Sequence, residues 1–126
     1  MIQRVDTTGR TGRYTSIELD SNGYPHINYC REDEGGFVKY AFWTGINWDI
    51  QTIDTGSGIT NGNLTITSLA IDTDDHPHIA YSKPPNNLHY AYWDGEQWIY
   101  HTECEMDGIY GSVGIALDSD NHPHIS

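Results

Sequence analysis

Two histidines flank a proline in "DTDDHPHIAY" (residues 72–81), directly after a run of acids. A near copy, "DSDNHPHIS", occupies 118–126, and a weaker one, "DSNGYPHINY", occupies 20–29. Residues two apart on a strand share a face, so the pairs His76/His78 and His122/His124 could chelate zinc. The proline between them belongs at a strand start, however, and spacing fixes no third ligand. His26, His78 and His124 recur at one repeat position, which marks a structural role, with each ring bonded to a neighbouring strand or turn. The alternate carboxylates of "DTDD" and "DSDN" could hold calcium, but the EF-hand spacing with its distal Glu is absent. The simpler expectation is that Asp20, Asp72 and Asp118 start turns by accepting backbone amides two residues on. No metal site is assigned and no cofactor is expected; calcium is the one ion these turns could take.

No spacing singles out a catalytic triad, which is in any case recognised by geometry. A glycosidase needs two carboxylates a few ångströms apart, and an acidic substrate would want clustered arginines. The cations are Arg4, Arg10, Arg13, Arg31, Lys39 and Lys83, scattered along the chain. No catalytic residue is assigned. Two other features point to ligand binding. Glu18 stands where the other repeats carry Ala70 and Ala116, and its expected cross-strand neighbour Asn28 stands where they carry Ala80 and Ser126. A polar pair in place of a small pair suggests a ligand in a central channel. Trp43, Trp48, Trp93 and Trp98 would serve either as packing between sheets or as platforms for a sugar ring.

These residues sit in an internal repeat. "TSIELDSNGYPHINY" (15–29) aligns without a gap with "TSLAIDTDDHPHIAY" (67–81), and "VGIALDSDNHPHIS" (113–126) aligns with both. "VKYAFWTGINW" (38–48) matches "LHYAYWDGEQW" (88–98), and "IQRVDT" (2–7) matches "IQTIDT" (50–55). Each repeat contains four short runs of strand character; in the second they are 67–72, 78–82, 87–93 and 98–104, separated by "DTDDHP", "KPPNN" and "DGEQ". Helical periodicity is absent. Four antiparallel strands per 46–52 residues, the spacing of Pro25, Pro77 and Pro123, is the size of a β-propeller blade. With the strands lettered a to d from the centre outward, the chain reads d, abcd, abcd, ab. Residues 1–10 form strand d of a split blade, 14–56 the first full blade, 65–106 the second, and 112–126 strands a and b of a third, all in one domain spanning 1–126.

Both faces of strand c carry bulk, as in a blade sandwiched between others: Leu88, Tyr90 and Tyr92 on one, His89, Ala91 and Trp93 on the other. Strand a puts small residues, Ser68, Ala70, Gly114 and Ala116, on one face, which suits the crowded centre of a ring. The expected register sets Asp72 opposite His78, Ala70 opposite Ala80, Glu18 opposite Asn28 and Ala116 opposite Ser126, with Leu69 and Ile79 meeting diagonally. This many blades do not close a ring, which usually takes about four to eight. Ring completion is expected from further blades of a longer chain, favoured by the stop in mid-strand at Ser126, or from homo-oligomerisation.

Composition narrows the partners. The 126 residues carry a net charge of −12, which excludes nucleic acid because phosphate binding needs a basic face. No apolar run reaches the length of a membrane span, so no membrane insertion is expected, and "MIQRVDTTGR" is not a secretory signal. Cys30 and Cys104 fall at different repeat positions and define no disulfide. "NLT" at 63–65 is a glycosylation sequon, a short pattern that also arises by chance.

The repeat "SLAID…PHIAY…LHYAYWDG..W" resembles propeller repeats of bacterial and archaeal secreted and surface proteins, and more distantly the sialidase-type propellers with Asp-box turns. The Asp-box joins outer strands, whereas "LDSNGYP" joins the inner two. "YWDGEQW" (92–98) and "FWTGINW" (42–48) are similar to the Trp-Asp-Gly-x-x-Trp segment of fucose-binding lectin propellers. That resemblance implies that Trp93 with Trp98, and Trp43 with Trp48, pack against sugar held between blades, and that short chains can assemble into rings. The Arg and Glu that family uses on strands b and c are replaced by Ala80 and Tyr90, and by Asn28 and Tyr40, so its charged hydrogen-bonding pair is absent. Together these readings predict an all-β, non-enzymatic propeller scaffold, extracellular or on a cell surface, binding a carbohydrate or protein ligand. Carbohydrate is the expected ligand class; part of a propeller-type carbohydrate-active enzyme, a sialidase-like hydrolase or a lyase, is the alternative, and a purely architectural surface module the second.

Overall fold

The computed structural model describes residues 2–33, 36–55, 66–83, 87–105 and 112–126, with backbone alone at 103–105. Its regular elements are all strands. The first sheet contains β1 (Thr11–Leu19), β2 (Pro25–Arg31), β3 (Phe37–Trp43) and β4 (Trp48–Thr55). The second contains β5 (Thr67–Ile71), β6 (Pro77–Lys83), β7 (Asn87–Trp93) and β8 (Trp98–Glu105). A third, two-stranded sheet contains β9 (Ile115–Leu117) and β10 (Pro123–Ile125). Every sheet is an antiparallel meander in chain order.

Turn chemistry explains the repetition. The Asp72 carboxylate accepts the backbone N–H groups of Asp74 (2.9 Å) and His76 (2.7 Å). Asp20 does the same for Asn22 and Tyr24, and Asp118 for Asp120 and His122. The residue before the aromatic is left-handed in each turn: Gly23 at φ 77°, Asp75 at 65° and Asn121 at 64°. Glycine, Asp and Asn are the residues that tolerate this backbone best. The turn of Asp72 also corrects the expected register. Asp72 donates its own N–H to the His76 carbonyl, so it belongs to the turn, and the ladder ends one residue earlier at Ile71 opposite Pro77. Consequently Ala70 faces His78, Ser68 faces Ala80, and Leu69 meets Ile79 directly. Likewise Glu18 faces His26 rather than Asn28, and Ala116 faces His124 rather than Ser126. The slip is two residues, so every side chain keeps its expected face while its partner changes.

The two large sheets stack face to face. Val38, Tyr40 and Ile53 of the first sheet pack on Leu69, Ile79, Tyr81 and Ala91 of the second, with Phe42, Ile71 and Trp98 at the margin. The small residues of β1 and β5 link neighbouring sheets: Ser16 Oγ accepts the Leu69 N–H and Ser68 Oγ accepts the Ile115 N–H, both at 3.3 Å. The opposite face of the first sheet stays open, with Ile17 61% exposed where its repeat counterpart Leu69 is 2% exposed.

Residues 1–10, expected as strand d, contain no strand over the described residues 2–10. The segment is nevertheless tethered in the same way as its repeat counterpart. Tyr29 donates its hydroxyl to Asp6 (2.7 Å), as the equivalent Tyr81 does to Asp54 (3.0 Å). Among the described residues no helix is long and apolar enough to cross a membrane. Cys30 is buried, which pushes its thiol up to about 12, while the side chain of Cys104 and residues 63–65 lie outside the described residues.

Candidate functional site

A cleft of about 250 Å³ opens between the two stacked sheets, at the end that carries the 20–24 and 72–76 turns. The first sheet contributes His26, Tyr40, Phe42 and Gln51; the second contributes Asp75, His76, Pro77, Trp93 and Trp98. Trp93 and Trp98 are a directly opposed cross-strand pair on either side of a tight turn, with ring centroids 6.0 Å apart at 70°. The turn is closed by Asp94, whose carboxylate accepts the N–H groups of Glu96 and Gln97 at 2.8 Å, and by Gly95 at φ 101°. Trp98 meets Tyr40 edge-on at 5.5 Å and donates its indole N–H to Gln51 Oε1 at 2.8 Å. The amide of Gln51 in turn donates to Asp49 at 3.2 Å. The result is an aromatic wall whose orientation is fixed by packing and hydrogen bonds.

Beneath the wall lies a buried relay. His26 contacts Asp20 through Nε2 (3.6 Å) and Tyr40 through Nδ1 (2.5 Å), and it stacks on Phe42 at 5.7 Å. The second sheet repeats it: His78 contacts Asp72 (3.3 Å) and Tyr90 (2.6 Å) and stacks on Tyr92 at 5.5 Å. A carboxylate only accepts, so Nε2 carries the proton and Nδ1 accepts from the tyrosine hydroxyl. Burial lowers the pKa of both histidines, against the opposing pull of their aspartates, and raises that of Tyr40. At two of its three positions the recurring histidine is thus buried and partnered, whereas His124 is exposed and contacts Asp118 at 3.3 Å.

The second histidine of each pair turns to the same aspartate as the first. His76 Nδ1 (3.6 Å) and His78 Nε2 (3.3 Å) converge on one oxygen of Asp72, and His122 and His124 converge likewise on Asp118 at 3.3 Å each. Among the described residues, Asp118, Asp120 and His122 bring ligand atoms within 4.8 Å of one another, all exposed. Backbone amides from the turn hold the Asp118 carboxyl at about 2.

The structure separates the residues singled out by sequence. Trp93 and Trp98 line the cleft. Trp43 and Trp48 form the same T-shaped pair (5.7 Å, 63°) on the far side of the first sheet, and the Trp48 indole N–H is buried with no partner among the described residues. Gln3, the repeat counterpart of Gln51, is exposed. Glu18 and Asn28 do not meet. Glu18 is exposed, whereas Asn28 is fully buried and accepts the Ser16 N–H at 3.1 Å, leaving its own Nδ2 without a partner. Sequence reasoning missed His26, Tyr40, Phe42, Gln51, Asp75, His76 and Pro77 as lining. The signal was present in the pairing of strands: His26 lies directly opposite Phe42, two residues along from Tyr40.

A second, wider cavity of about 380 Å³ lies between the second sheet and the β9–β10 hairpin, lined by Leu88, Tyr90, His101, Pro123 and Ile125. Tyr90, His101 and Pro123 are the repeat counterparts of Tyr40, Gln51 and Pro77, so the cleft recurs with the repeat.

No protein-family model and no curated protein matches the chain. Among solved structures it is similar to a fucose lectin from Kordia zhangzhouensis in complex with methyl-fucoside. The identity is 18%, the match covers 88% of this chain and 80% of that chain, and the TM-score is 0.50. A likeness at this identity concerns the fold: all-β, with four-stranded antiparallel sheets.

Proposed function

We propose that the chain is part of a β-propeller that binds carbohydrate without turning it over, and that the cleft between successive blades holds the sugar. The four-stranded sheets are its blades, residues 2–7 and the β9–β10 hairpin belong to incomplete ones, and further blades complete the ring. Those blades come from a longer chain or from other copies, and the setting is extracellular or at a cell surface. One observation carries the reading: a 250 Å³ cleft walled by Trp93, Trp98, Tyr40 and Phe42, with Gln51, Asp75 and His76 as polar groups at its edge. A concave aromatic surface with a few polar groups is what a pyranose requires, since its apolar face stacks on rings while its hydroxyls take directional bonds. The fold of the fucose lectin supports the same class of ligand.

Binding is favoured over hydrolysis by the carboxylates. Glycoside hydrolysis uses two, and the lining contains one, Asp75, whose oxygens hold Ser21 through its N–H (2.7 Å) and its hydroxyl (2.6 Å). A glycan array followed by calorimetry tests the proposal. The expected result is binding of at least one glycan, weakened about tenfold or more by Trp98→Ala and unaltered by Tyr81→Phe, with no product released. Binding that survives Trp98→Ala in full, or the absence of any glycan ligand, refutes the assignment to this cleft.

A further inference from the structure

Acids gather at one end of the sheets. At the end where the cleft opens stand Asp20, Asp49, Asp72, Asp74, Asp75 and Asp94, in or beside the tight turns. The cations are all elsewhere. Arg10 and Arg13 pair with Glu32, Arg31 with Asp33 and Lys83 with Asp54, at the far ends of their strands. Lys39 bonds Thr52, and Arg4 lies in a hollow with Thr11 and Tyr29. No Lys or Arg lines the cleft.

The acids act on the cleft itself. Asp20 and Asp75 both bear electrostatically on His26, and Asp49 and Asp20 on Tyr40. Asp75 lines the cavity, and Asp49 stands opposite Phe42, next to Trp48. The hydrogen bonds from Ser21 keep the Asp75 carboxyl below its ordinary range, so it is ionised. Carboxylates at the rim of a box of tryptophan, tyrosine and phenylalanine rings are the two halves of ammonium recognition. The ring faces attract a cation through their quadrupole, and the acids supply full charge. The same field repels uronic and other acidic sugars.

Resting on the carbohydrate reading above, we propose that this cleft selects sugars carrying a free, protonated amine, a deacetylated hexosamine, over their acetylated and acidic counterparts. The amine lies over the Trp98 and Tyr40 rings and within reach of Asp75 and Asp49, while the pyranose face stacks on Trp93.

Calorimetry with the intact chain tests this, using a glucosamine tetramer, the N-acetylglucosamine tetramer, a galacturonate tetramer and methyl-fucoside at 50 and 500 mM NaCl. The expected result is that the free-amine tetramer binds about tenfold more tightly than the acetylated one at 50 mM. The advantage should shrink several-fold at 500 mM, because the Debye length falls below about 5 Å. Galacturonate should bind most weakly. Asp75→Asn should cut the amine preference about threefold without unfolding the turn, since Asn121 occupies the equivalent position at φ 64° in the third hairpin. Asp49→Asn, on an exposed site, should do the same. Equal affinity for the amine and acetylated tetramers, or a preference insensitive to salt and to both substitutions, overturns the proposal. In that outcome, measurable binding of methyl-fucoside or the acetylated tetramer leaves the carbohydrate reading standing. Binding of none of the four overturns the amine preference, and the glycan array then decides the carbohydrate reading separately.

Discussion

Mild acid is predicted to loosen this protein through His26 and His78. Each ring is 5% exposed, bonded at Nδ1 to a tyrosine hydroxyl with an aspartate beside Nε2, and held neutral because burial disfavours its charge. In the unfolded chain the same histidines titrate near the ordinary value of about 6.5. As pH falls below that value the unfolded state binds protons that the folded state refuses, so stability drops with falling pH until the depressed folded-state value is reached. One such group gives a slope of up to about 1.4 kcal/mol per pH unit, and two give about 2.7. His89, half-buried and stacked on Tyr81 at 5.3 Å, is also lowered by burial and adds in the same direction. With a urea slope of roughly 1–3 kcal/mol/M, two groups that stay neutral in the fold lower the denaturation midpoint by about 0.7–2 M between pH 6.5 and 5.5. Tryptophan fluorescence would follow the transition. Carboxylates lowered by their partners, such as Asp6 and Asp118, weaken the fold only at more acidic pH and do not contaminate this window. The double variant His26→Gln, His78→Gln should be less stable at pH 7.5 and keep only the shallower slope that His89 contributes. A wild-type midpoint that does not move between pH 7.5 and 5.5 would refute the neutral relay.

Other outcomes follow from single contacts. Gly95→Ala should cost roughly 1–3 kcal/mol by thermal melting, because φ 101° is strained for any side chain, although the new Cβ would sit at an ordinary 3.5 Å from the His76 ring. Ser21→Ala removes the hydroxyl half of the bond to Asp75 across the two sheets and should lower the melting temperature slightly, less so at high salt because the site is exposed. Tyr81→Phe deletes a bond from a fully buried ring to Asp54 and should cost about 1–2 kcal/mol, while Lys83 still pairs with that carboxylate. Light scattering of the chain should show self-association, because Ile17 and Leu19, 61% and 60% exposed, present the face that their counterparts bury; a strictly monomeric chain would count against ring completion by copies.

The architecture was legible because the repeat wrote it more than once. Pro25, Pro77 and Pro123 open strands, the aspartates five residues before them cap turns, and Ser16 and Ser68 fill the small positions where adjacent sheets bond. The pairing register was less legible. Whether Asp72 ends a strand or begins a turn depends on its backbone N–H reaching His76, a bond that residue type alone does not specify. That two-residue difference is what separated Glu18 from Asn28 and hid the cleft. A site built from His26, Gln51, Asp75 and Trp98 draws on elements far apart in the chain, so only the stacking of the sheets reveals it. The tryptophans were visible because they repeat in a tight turn; Gln51 was not, since its counterparts are Gln3 and His101.

Position 75 shows why the recurring corner matters beyond its geometry. The same left-handed residue closes the turn, bridges to the sheet before it, and lines the cleft. Asn121 repeats the bridge by bonding Thr73 through both its amide atoms (3.2 and 2.7 Å), whereas Gly23 keeps the backbone and offers no side chain to bond. The strain is tolerated at Asp75 and Asn121 because each gains two bonds across a sheet boundary, and it is avoided by glycine where the described residues provide no preceding turn. The three corners thus differ in the group that reaches the neighbouring sheet: a carboxylate, an amide, or none. The charge at the cleft mouth therefore varies from one repeat to the next while the fold is unchanged.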